Sequence, residues 1–210
     1  MEASRIYTIL EKHLPPTAIA YGFQLWQGQP FDFRLRKKRI SKVGDFSFRP
    51  GKVPRITINQ DSHPFLFLIT YVHEVAHLMV HQRHGWKTES HGCEWKEMFR
   101  QLMAPLMTED IFPLELLVLL KKHMVDPKAS SFSDTKLTHM LRQFDERQKS
   151  TTLLSEIPQG SVFGLHGRWF KKGPLKRTRV LCRELKTKRN YLVPADSPVE
   201  NTQLSLLPGS

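Results

Sequence analysis

The sequence predicts an α+β fold in which helices lie on a small, mainly antiparallel sheet, followed by a small all-β appendage. Three observations lead to this prediction. Residues 3–20 and the stretch from residue 64 onward have the apolar periodicity of helices, whereas residues 22–60 alternate as strands do. Residues 161–194 change character again, with short apolar segments joined by turn residues. A chain of 210 residues can bury one core and a small appendage.

Two segments precede the longest apolar run. Residues 3–20 are expected to form an amphipathic helix that ends at Pro15 and Pro16. The next segment is expected to form three strands, whose alternating apolar positions are Phe31-Phe33-Leu35, Phe46-Phe48 and Ile56-Ile58. The turns predicted between them are Gly44-Asp45 and Pro50-Gly51.

The run from Phe65 to Val80 is apolar almost all the way round, which predicts a helix buried inside a domain. Ser62 is the expected N-cap, Pro64 fits the first turn, and Gly85 stands where a C-terminal cap belongs. One side of this helix nevertheless carries polar and ionisable residues, namely Thr70, His73, Glu74, His77 and His81. Because unpaired charge away from water is costly, this stripe indicates a bound cation that faces an open cleft.

The stripe contains His73-Glu74-Val75-Ala76-His77, which has the HExxH pattern. Residues i and i+4 project from one face of a helix, so that His73 and His77 can bind a single metal ion. Glu74 lies beside them, where a carboxylate can accept a proton during hydrolysis. The pattern therefore predicts one catalytic Zn²⁺ ion with Glu74 as the catalytic base. A structural zinc site is the alternative, but it would use four protein ligands and would leave Glu74 without a role.

A catalytic zinc ion usually has three protein ligands, so a third is expected outside this motif. His81 lies on the same stripe, but residues i, i+4 and i+8 extend over about 12 Å of one helix and cannot all bind one ion. His91 is the favoured ligand. It lies four residues before Trp95 on a helix predicted over residues 93–103, and so points to the surface on which that helix packs. The alternatives that stay open are Glu89, Glu94 and Glu97.

The rest of the sequence divides at a predicted linker. Residues 1–150 are expected to form the first domain, with further helices over residues 113–125 and 137–147. Three segments follow: a linker (151–160), a small basic β subdomain (161–194) and a disordered tail (195–210).

The positive charge of the chain is concentrated in two segments. The net charge is +12 and the pI is about 9.9. Nine Lys or Arg residues and one acidic residue, Asp45, lie in the segment from Arg34 to Arg55. Ten Lys or Arg residues and one acidic residue, Glu184, lie in the segment from Arg168 to Arg189. Clustered cations on ordered strands indicate a surface that binds phosphates, so DNA is a predicted partner.

The predicted contacts with nucleic acid lie in the second basic segment. The candidate phosphate contacts are Lys172, Arg177 and Arg179. Aromatic residues interleaved with these cations are candidates for stacking on bases, namely Trp169, Phe170 and Tyr191. The alternative is a solvated basic surface around a hydrophobic core that contains the aromatic residues.

Cysteine content and the N-terminal sequence bear on the compartment. The chain has two cysteines, Cys93 and Cys182, and its first residues are mixed and charged. Both features favour a cytoplasmic protein without disulfide bonds or a secretion signal. The longest apolar run contains ionisable groups, which argues against a membrane span. A protein substrate is an expected partner, and the oligomeric state is left open.

HEVAH, a loop and then ESHGCEWKEMF resemble the SprT-like metallopeptidases, the family that includes Spartan, a protease that acts on DNA–protein crosslinks. The family pattern is HExxH followed by a third His in an HG-containing segment with an aromatic residue. Its positions here are His73, Glu74, His77, His91, Gly92 and Trp95. The resemblance covers roughly residues 1–125 and implies a zincin-like fold, one catalytic zinc ion and nucleic-acid-associated protein substrates. Many members continue with a cysteine-rich zinc ribbon, which two cysteines cannot form.

The sequence thus predicts a zinc-dependent endopeptidase that hydrolyses proteins bound or crosslinked to nucleic acid, as in DNA–protein crosslink repair. Arg55–Asn59 is the candidate edge strand for pairing with the substrate backbone. Two other functions stay open. One is a non-catalytic nucleic-acid-binding protein with a structural zinc site, and the other is a general cytosolic metallopeptidase with no role on nucleic acid.

Overall fold

The computed structural model describes residues 2–37, 43–85, 87–128, 134–144, 152–195 and 197–201. The chain divides into two compact units, Met1–Asp145 and Glu146–Ser210. The described residues of the first unit form six α-helices and a three-stranded sheet, and those of the second form a five-stranded sheet. This organisation confirms the predicted α+β class. In the described parts of the chain, no helix is long and apolar enough to cross a membrane.

The α-helices α1 to α6 are Glu2–His13, Ile19–Gly28, Pro64–His84, Cys93–Met103, Leu114–Val125 and Thr135–Phe144. The single helix predicted over residues 3–20 is wrong, because α1 ends at His13 and a 3-10 turn over Pro16–Ala18 separates it from α2. Proline lacks the amide hydrogen that a helix needs and disfavours helical conformation in the residue before it. The chain then returns to helix over residues predicted to begin the strands. Of the helix predicted over residues 137–147, residues 145–147 lie outside the described residues.

The strands β1 to β3 of the first unit are Asp32–Arg36, Gly44–Ser47 and Arg55–Asn59. Their order is β1-β3-β2, with β1 parallel and β2 antiparallel to β3, so the sheet is mixed rather than mainly antiparallel. Apolar alternation identifies the buried face of a strand but not its neighbours. Because β3 is the central strand, Arg55–Asn59 is not an edge for substrate pairing, contrary to prediction. Gly44, predicted to lie in a turn, is the first residue of β2.

Helix α3 runs through the core of the first unit. It begins at Pro64 and ends just before Gly85, as predicted. The N-cap is His63 rather than Ser62, because the His63 Nδ1 accepts a hydrogen bond from the Phe65 amide at 3.3 Å. Gly85 lies just after the helix with a φ of 64°, a left-handed conformation that favours glycine.

Hydrogen bonds from an arginine of α4 hold the end of α5 in place. Arg100 of α4 donates hydrogen bonds to the Met124 carbonyl at 2.9 Å and to the Val125 carbonyl at 3.2 Å. These carbonyls lie in the last turn of α5, where carbonyls have no partner within the helix. The helices predicted over residues 93–103 and 113–125 are both present to within one residue of their bounds.

The second unit is an antiparallel sheet with the strand order β7-β6-β5-β4-β8. The strands β4 to β8 are Val162–Leu165, Arg168–Lys176, Arg179–Glu184, Asn190–Pro194 and Glu200–Asn201. The buried side chains of its inner face include Phe163, Phe170, Val180, Cys182 and Val193. Along β6, buried Val180 and Cys182 alternate with exposed Arg179 and Arg183.

Segments predicted to be a linker and a disordered tail contribute to the core of the second unit. Leu154 is fully buried and Ile157 is 3% exposed, so residues 152–160 are part of the folded unit and not a linker. In the predicted tail, Val199 is buried and β8 pairs with β4. A sheet with one apolar face needs further apolar residues to cover it, and these short segments supply some of them. Residues 202–210 lie outside the described residues.

A buried carboxylate lies at the end of β6. Glu184 is 4% exposed and accepts hydrogen bonds from the Arg168 Nε at 2.6 Å and from the Thr187 hydroxyl. The hydrogen bond from Arg168 is the main cause that lowers the pKa of Glu184 from 4.5 to about 2. The Arg168 guanidinium also lies over the rings of Phe170 and Tyr191, which helps to hold it in place.

Replacement of Glu184 by Gln should destabilise the second unit near pH 7 and have a smaller effect in acid. Because the pKa of Glu184 is lowered in the folded state, its ion pair contributes stability above pH 4.5, and this contribution is lost as the pH falls toward 2. Thermal unfolding across this range measures the Tm difference between wild type and variant, which should narrow in acid. The exposed Glu109 supplies the control Glu109→Gln, which should leave Tm unchanged. A Tm difference that does not vary with pH would contradict the role of the ion pair.

Candidate metal centre

Three histidine side chains of the first unit converge on one point. His73 and His77 lie one turn apart on α3, and His91 lies in the loop before α4. The Nε2 atom of His77 is 3.2 Å from that of His73 and 3.0 Å from that of His91, and the third pair is 3.3 Å apart. These atoms are close enough to bind one metal ion. The structure therefore brings together the three histidines that the sequence singled out.

The arrangement of the three rings favours a cation over hydrogen bonds among them. Each Nε2 carries either a proton or a lone pair, so three Nε2 atoms that face one another cannot all satisfy each other. Burial is the largest cause that lowers the pKa of His73 to about 2 and that of His77 to about 3. Burial also lowers the pKa of His91. At neutral pH the imidazoles are therefore uncharged and can each offer a lone pair to a metal ion.

Trp95 of α4 supports all three histidine rings. Its ring centroid lies 4.6 Å from that of His73, 5.3 Å from that of His77 and 4.7 Å from that of His91. The indole is fully buried, and its Nε1 donates a hydrogen bond to the His73 carbonyl at 3.4 Å. The sequence placed the Trp95 face of α4 against α3 but did not reveal contact with every histidine of the cluster. The four-residue spacing between His91 and Trp95 was the available signal.

Glu74 follows His73 and lies between α3 and β2, where it is 6% exposed. Its carboxylate lies against Gly44, the first residue of β2. Farther along, Phe46 of β2 has its ring centroid 5.7 Å from that of His81, so β2 follows α3 past the cluster. The centre thus combines two imidazoles and a buried carboxylate from α3 with a third imidazole from the loop before α4. Such a combination can support metal-assisted hydrolysis.

The other ligand candidates lie outside the cluster. Glu97 accepts hydrogen bonds from Arg100 at 3.1 Å and from Gln101 at 3.0 Å on the exposed side of α4. Neither Glu89 nor Glu94 lies among the converging ligand atoms. In the described ranges of the chain, the histidine cluster is the one group of three His, Cys, Asp or Glu residues with metal-binding spacing.

His123 of α5 is a buried neighbour of the centre that sequence analysis missed. Its side chain is 2% exposed, and its Nδ1 lies 3.6 Å from the Asp134 Oδ2. A positive charge on His123 would lower the pKa of His73, so the two rings are within electrostatic range of each other. Asp134 in turn accepts a hydrogen bond from the Leu137 amide at the start of α6. A histidine near the end of an apolar helix gives no sequence signal that separates a buried from an exposed position.

The predicted phosphate contacts of the second unit do not form one surface. The Lys172 Nζ donates hydrogen bonds to the Ile157 carbonyl at 2.5 Å and to the Ser155 carbonyl at 3.3 Å, and burial lowers the pKa of Lys172. This ammonium is therefore engaged within the unit. Arg177 is exposed in the turn between β5 and β6, and Arg179 is exposed on β6.

The three aromatic residues predicted to stack on bases differ in exposure. Phe170 is 3% exposed and belongs to the core, as the alternative prediction expected. Tyr191 is half-buried, with the Arg168 guanidinium 4.7 Å from its ring centroid. Trp169 is 43% exposed and is the one of the three that offers a free ring face.

The side of the second sheet that faces away from its core carries cations and apolar side chains together. Residues paired across antiparallel strands lie on the same face, so Lys171 lies beside Arg183 and Leu181 lies beside Leu192. This surface is the outer basic face, and its cationic and large apolar members are Trp169, Lys171, Lys176, Arg179, Leu181, Arg183 and Leu192. Leu181 is thus one of three large apolar or aromatic members of this face, with Trp169 and Leu192.

The chain was compared with known protein families, proteins and structures. Searches against protein-family models, curated proteins and solved structures found no match. The likeness to the SprT-like metallopeptidases therefore remains a resemblance, carried by the residues of the HExxH segment and the His91 segment.

Replacement of His91 by Ala should weaken metal binding by more than about 100-fold, because loss of a ligand costs more than the 10–100-fold typical of its supporting residues. Titration of the metal-free protein with Zn²⁺ in competition with a chelating dye measures the affinity. His84→Ala is the matched control, since His84 is exposed at the end of α3. Wild-type affinity in the His91 variant would show that His91 is not a ligand and would contradict the three-histidine centre.

Proposed function

We propose that this chain is a zinc-dependent endopeptidase that hydrolyses proteins bound or crosslinked to DNA. The observation that carries this proposal is the convergence of the His73, His77 and His91 imidazoles, two of which lie on α3 beside the buried Glu74 carboxylate. A purely structural metal site would give Glu74 no role, whereas hydrolysis requires a proton acceptor at that place. The resemblance of the motif segments to the SprT-like metallopeptidases supports the same chemistry.

The donor set and its spacing fit zinc. Four ligands arranged tetrahedrally at about 2.0–2.1 Å from a zinc ion lie about 3.3 Å from one another. The three Nε2 atoms are 3.0–3.3 Å apart, which matches one face of such a tetrahedron. Three protein ligands with one open position are typical of catalytic rather than structural zinc. His73, His77 and His91 are therefore the proposed ligands of one Zn²⁺ ion.

Bound zinc would supply Lewis acidity, which makes water a better nucleophile at neutral pH and polarises the scissile carbonyl. Glu74 accepts the proton that the attacking water loses as its oxygen bonds to the carbonyl carbon. Glu74 then passes this proton to the amide nitrogen as the carbon–nitrogen bond breaks. The products are an amine and a carboxylic acid, which loses its remaining proton to solvent at neutral pH. Trp95 keeps the three imidazoles oriented throughout, because it contacts every one of their rings.

The edge strand β2 is the proposed docking site for the substrate backbone. It lies at the end of the sheet order β1-β3-β2 and passes Glu74 and then His81 on its course along α3. An extended peptide that adds to this edge would lie along the same helix that carries the catalytic side chains. This role replaces the one expected for β3, whose two neighbours occupy both of its edges.

The outer basic face is the proposed nucleic-acid contact. Lys171, Arg179 and Arg183 offer three cations to phosphates, and Trp169 offers an exposed ring to a base. Lys172 is excluded from this role because its side chain is half-buried and its ammonium donates to two backbone carbonyls of its own unit. Arg179 and Arg183 each donate one hydrogen bond to a backbone carbonyl, that of Leu192 at 3.4 Å and that of Lys188 at 3.2 Å, but both side chains are exposed. These charges would hold a DNA-bound protein near the enzyme and take no part in proton transfer.

Glu74→Gln should retain zinc and fold but lose at least about 100-fold in kcat, because general-base catalysis typically contributes 10²–10⁴-fold. The assay is cleavage of a protein crosslinked to a DNA oligonucleotide, with zinc content measured on the same samples. Glu97→Gln, on the exposed side of α4, is the matched control and should be fully active. Turnover in the Glu74 variant within about tenfold of wild type would remove Glu74 as the base.

A triple Gln variant of Lys171, Arg179 and Arg183 should weaken DNA binding and reduce its salt dependence. On a log–log plot of affinity against salt, loss of three phosphate contacts should make the slope less negative by about 2–3. Hydrolysis of a short peptide should be unchanged. Lys121, Lys122 and Lys136 of the first unit supply the charge-matched control, whose triple Gln variant should keep the wild-type slope. An unchanged slope in the outer-face variant would show that the outer basic face does not contact DNA. The contact would then lie in the segment from Arg34 to Arg55, or the protein would not bind DNA.

A further inference from the structure

We propose that Gly44 is a positioning residue for Glu74, because the side chain it lacks leaves the space in which the Glu74 carboxylate lies. The catalytic part of this inference rests on the proposed function, whereas its steric part does not. If it is correct, the sequence of β2 at this point is set by the catalytic carboxylate and not by the strand itself.

The backbone of Gly44 does not explain why glycine is there. Among the described glycines, those with positive φ are Gly51, Gly85, Gly160 and Gly167, and Gly44 is not one of them. It lies in β2, opposite Ile58 of β3, in a conformation that any residue can adopt. Glycine in a strand is unfavourable and often marks a close approach by another group.

That close approach comes from α3. A Cβ added at Gly44 would lie 2.5 Å from the Glu74 Oε1, 3.0 Å from the Glu74 Cγ and 2.5 Å from the Thr70 Cγ2. Non-bonded carbon atoms are in favourable contact at about 3.5–4.0 Å, so even a methyl group would force atoms apart. Any side chain at position 44 therefore competes for space with both α3 residues.

Glu74 is the group that would yield. The Thr70 hydroxyl donates a hydrogen bond to the Leu66 carbonyl at 2.7 Å, which restrains the rotamer of its methyl group. Strand β2 is restrained by its pairing with β3, and the Asn59 amide donates to the Val43 carbonyl at 2.9 Å just before β2 begins. The Glu74 side chain has more rotatable bonds, so its carboxylate would move. A displacement of about 1 Å in a catalytic group can cost about 100-fold in rate.

The steric part is tested by thermal unfolding of the metal-free full chain, which needs no activity. Gly44→Ala should lower Tm by about 2–12 °C in the wild-type background, as expected for overpacking of a buried site. In the Thr70→Ser/Glu74→Ala background, where the crowded atoms are gone, the same substitution should cost much less. Gly28→Ala is the matched control, because a Cβ there meets nothing within 4 Å. An equal Tm cost of Gly44→Ala in both backgrounds would overturn the proposal.

The catalytic part is tested by steady-state kinetics on zinc-loaded protein. Gly44→Ala should lower kcat by about 10–100-fold with KM changed less than about twofold, while zinc content stays at the wild-type level. Gly44→Ala/Thr70→Ser removes the conflict with the Thr70 methyl and should recover Tm in part but not kcat. This double variant also carries the test if Gly44→Ala alone does not fold.

The positioning role of Gly44 and the proposed peptidase activity can fail independently in these experiments. Wild-type kcat in Gly44→Ala, or full recovery of kcat by Thr70→Ser, would overturn the positioning role while leaving the peptidase in place. Absence of any hydrolysis that depends on Glu74 in the wild type would contradict the proposed function. The Tm comparison would still decide whether Gly44 makes room for the Glu74 and Thr70 side chains.

Discussion

The burial of titratable side chains on α3 is the constraint on which the first unit depends. This helix passes through the core, with Tyr71, Val72, Val75 and Leu78 fully buried, yet it also carries two histidines and a glutamate there. The imidazoles of His73 and His77 are half-buried and uncharged at neutral pH, and together with His91 they direct three lone pairs at one point where a metal ion can bind. The surrounding elements follow from this need, because α4 brings His91 and Trp95 to one side of the helix and β2 brings Gly44 to the carboxylate.

The second unit has its own hydrophobic core, which is separate from that of the first unit. Its inner face is closed by Phe163 and Phe170 together with Leu154 and Ile157 from the segment before the sheet. The cations are then divided by where their strands place them: Arg168 and Lys172 bind groups on the inner side of the sheet, whereas those on the outer basic face are exposed. A count of charges in the sequence cannot make this division. The proposed contact with DNA therefore depends on strand pairing as much as on composition.

Much of the centre could be predicted from the sequence because helical geometry relates residues close in the chain. The spacing of His73 and His77 and the position of His91 before Trp95 were sufficient to select the three converging residues. Contacts between segments that are distant in the chain could not be predicted from helical spacing. The pairing of β3 with both of its neighbours, and the placement of Gly44 against Glu74, depend on tertiary packing that alternation does not encode. Likewise, Lys172 looks like a surface cation until its carbonyl partners are known.

In the proposed function, one metal ion bound by the three histidines enables peptide hydrolysis. The most direct test is titration of the metal-free protein with Zn²⁺, with binding and cleavage of a DNA-crosslinked protein followed in the same samples. Cleavage should rise in proportion to zinc occupancy and reach its maximum at one zinc ion per chain. Full occupancy at the three histidines without cleavage of either the crosslinked or the free protein would contradict the proposed function.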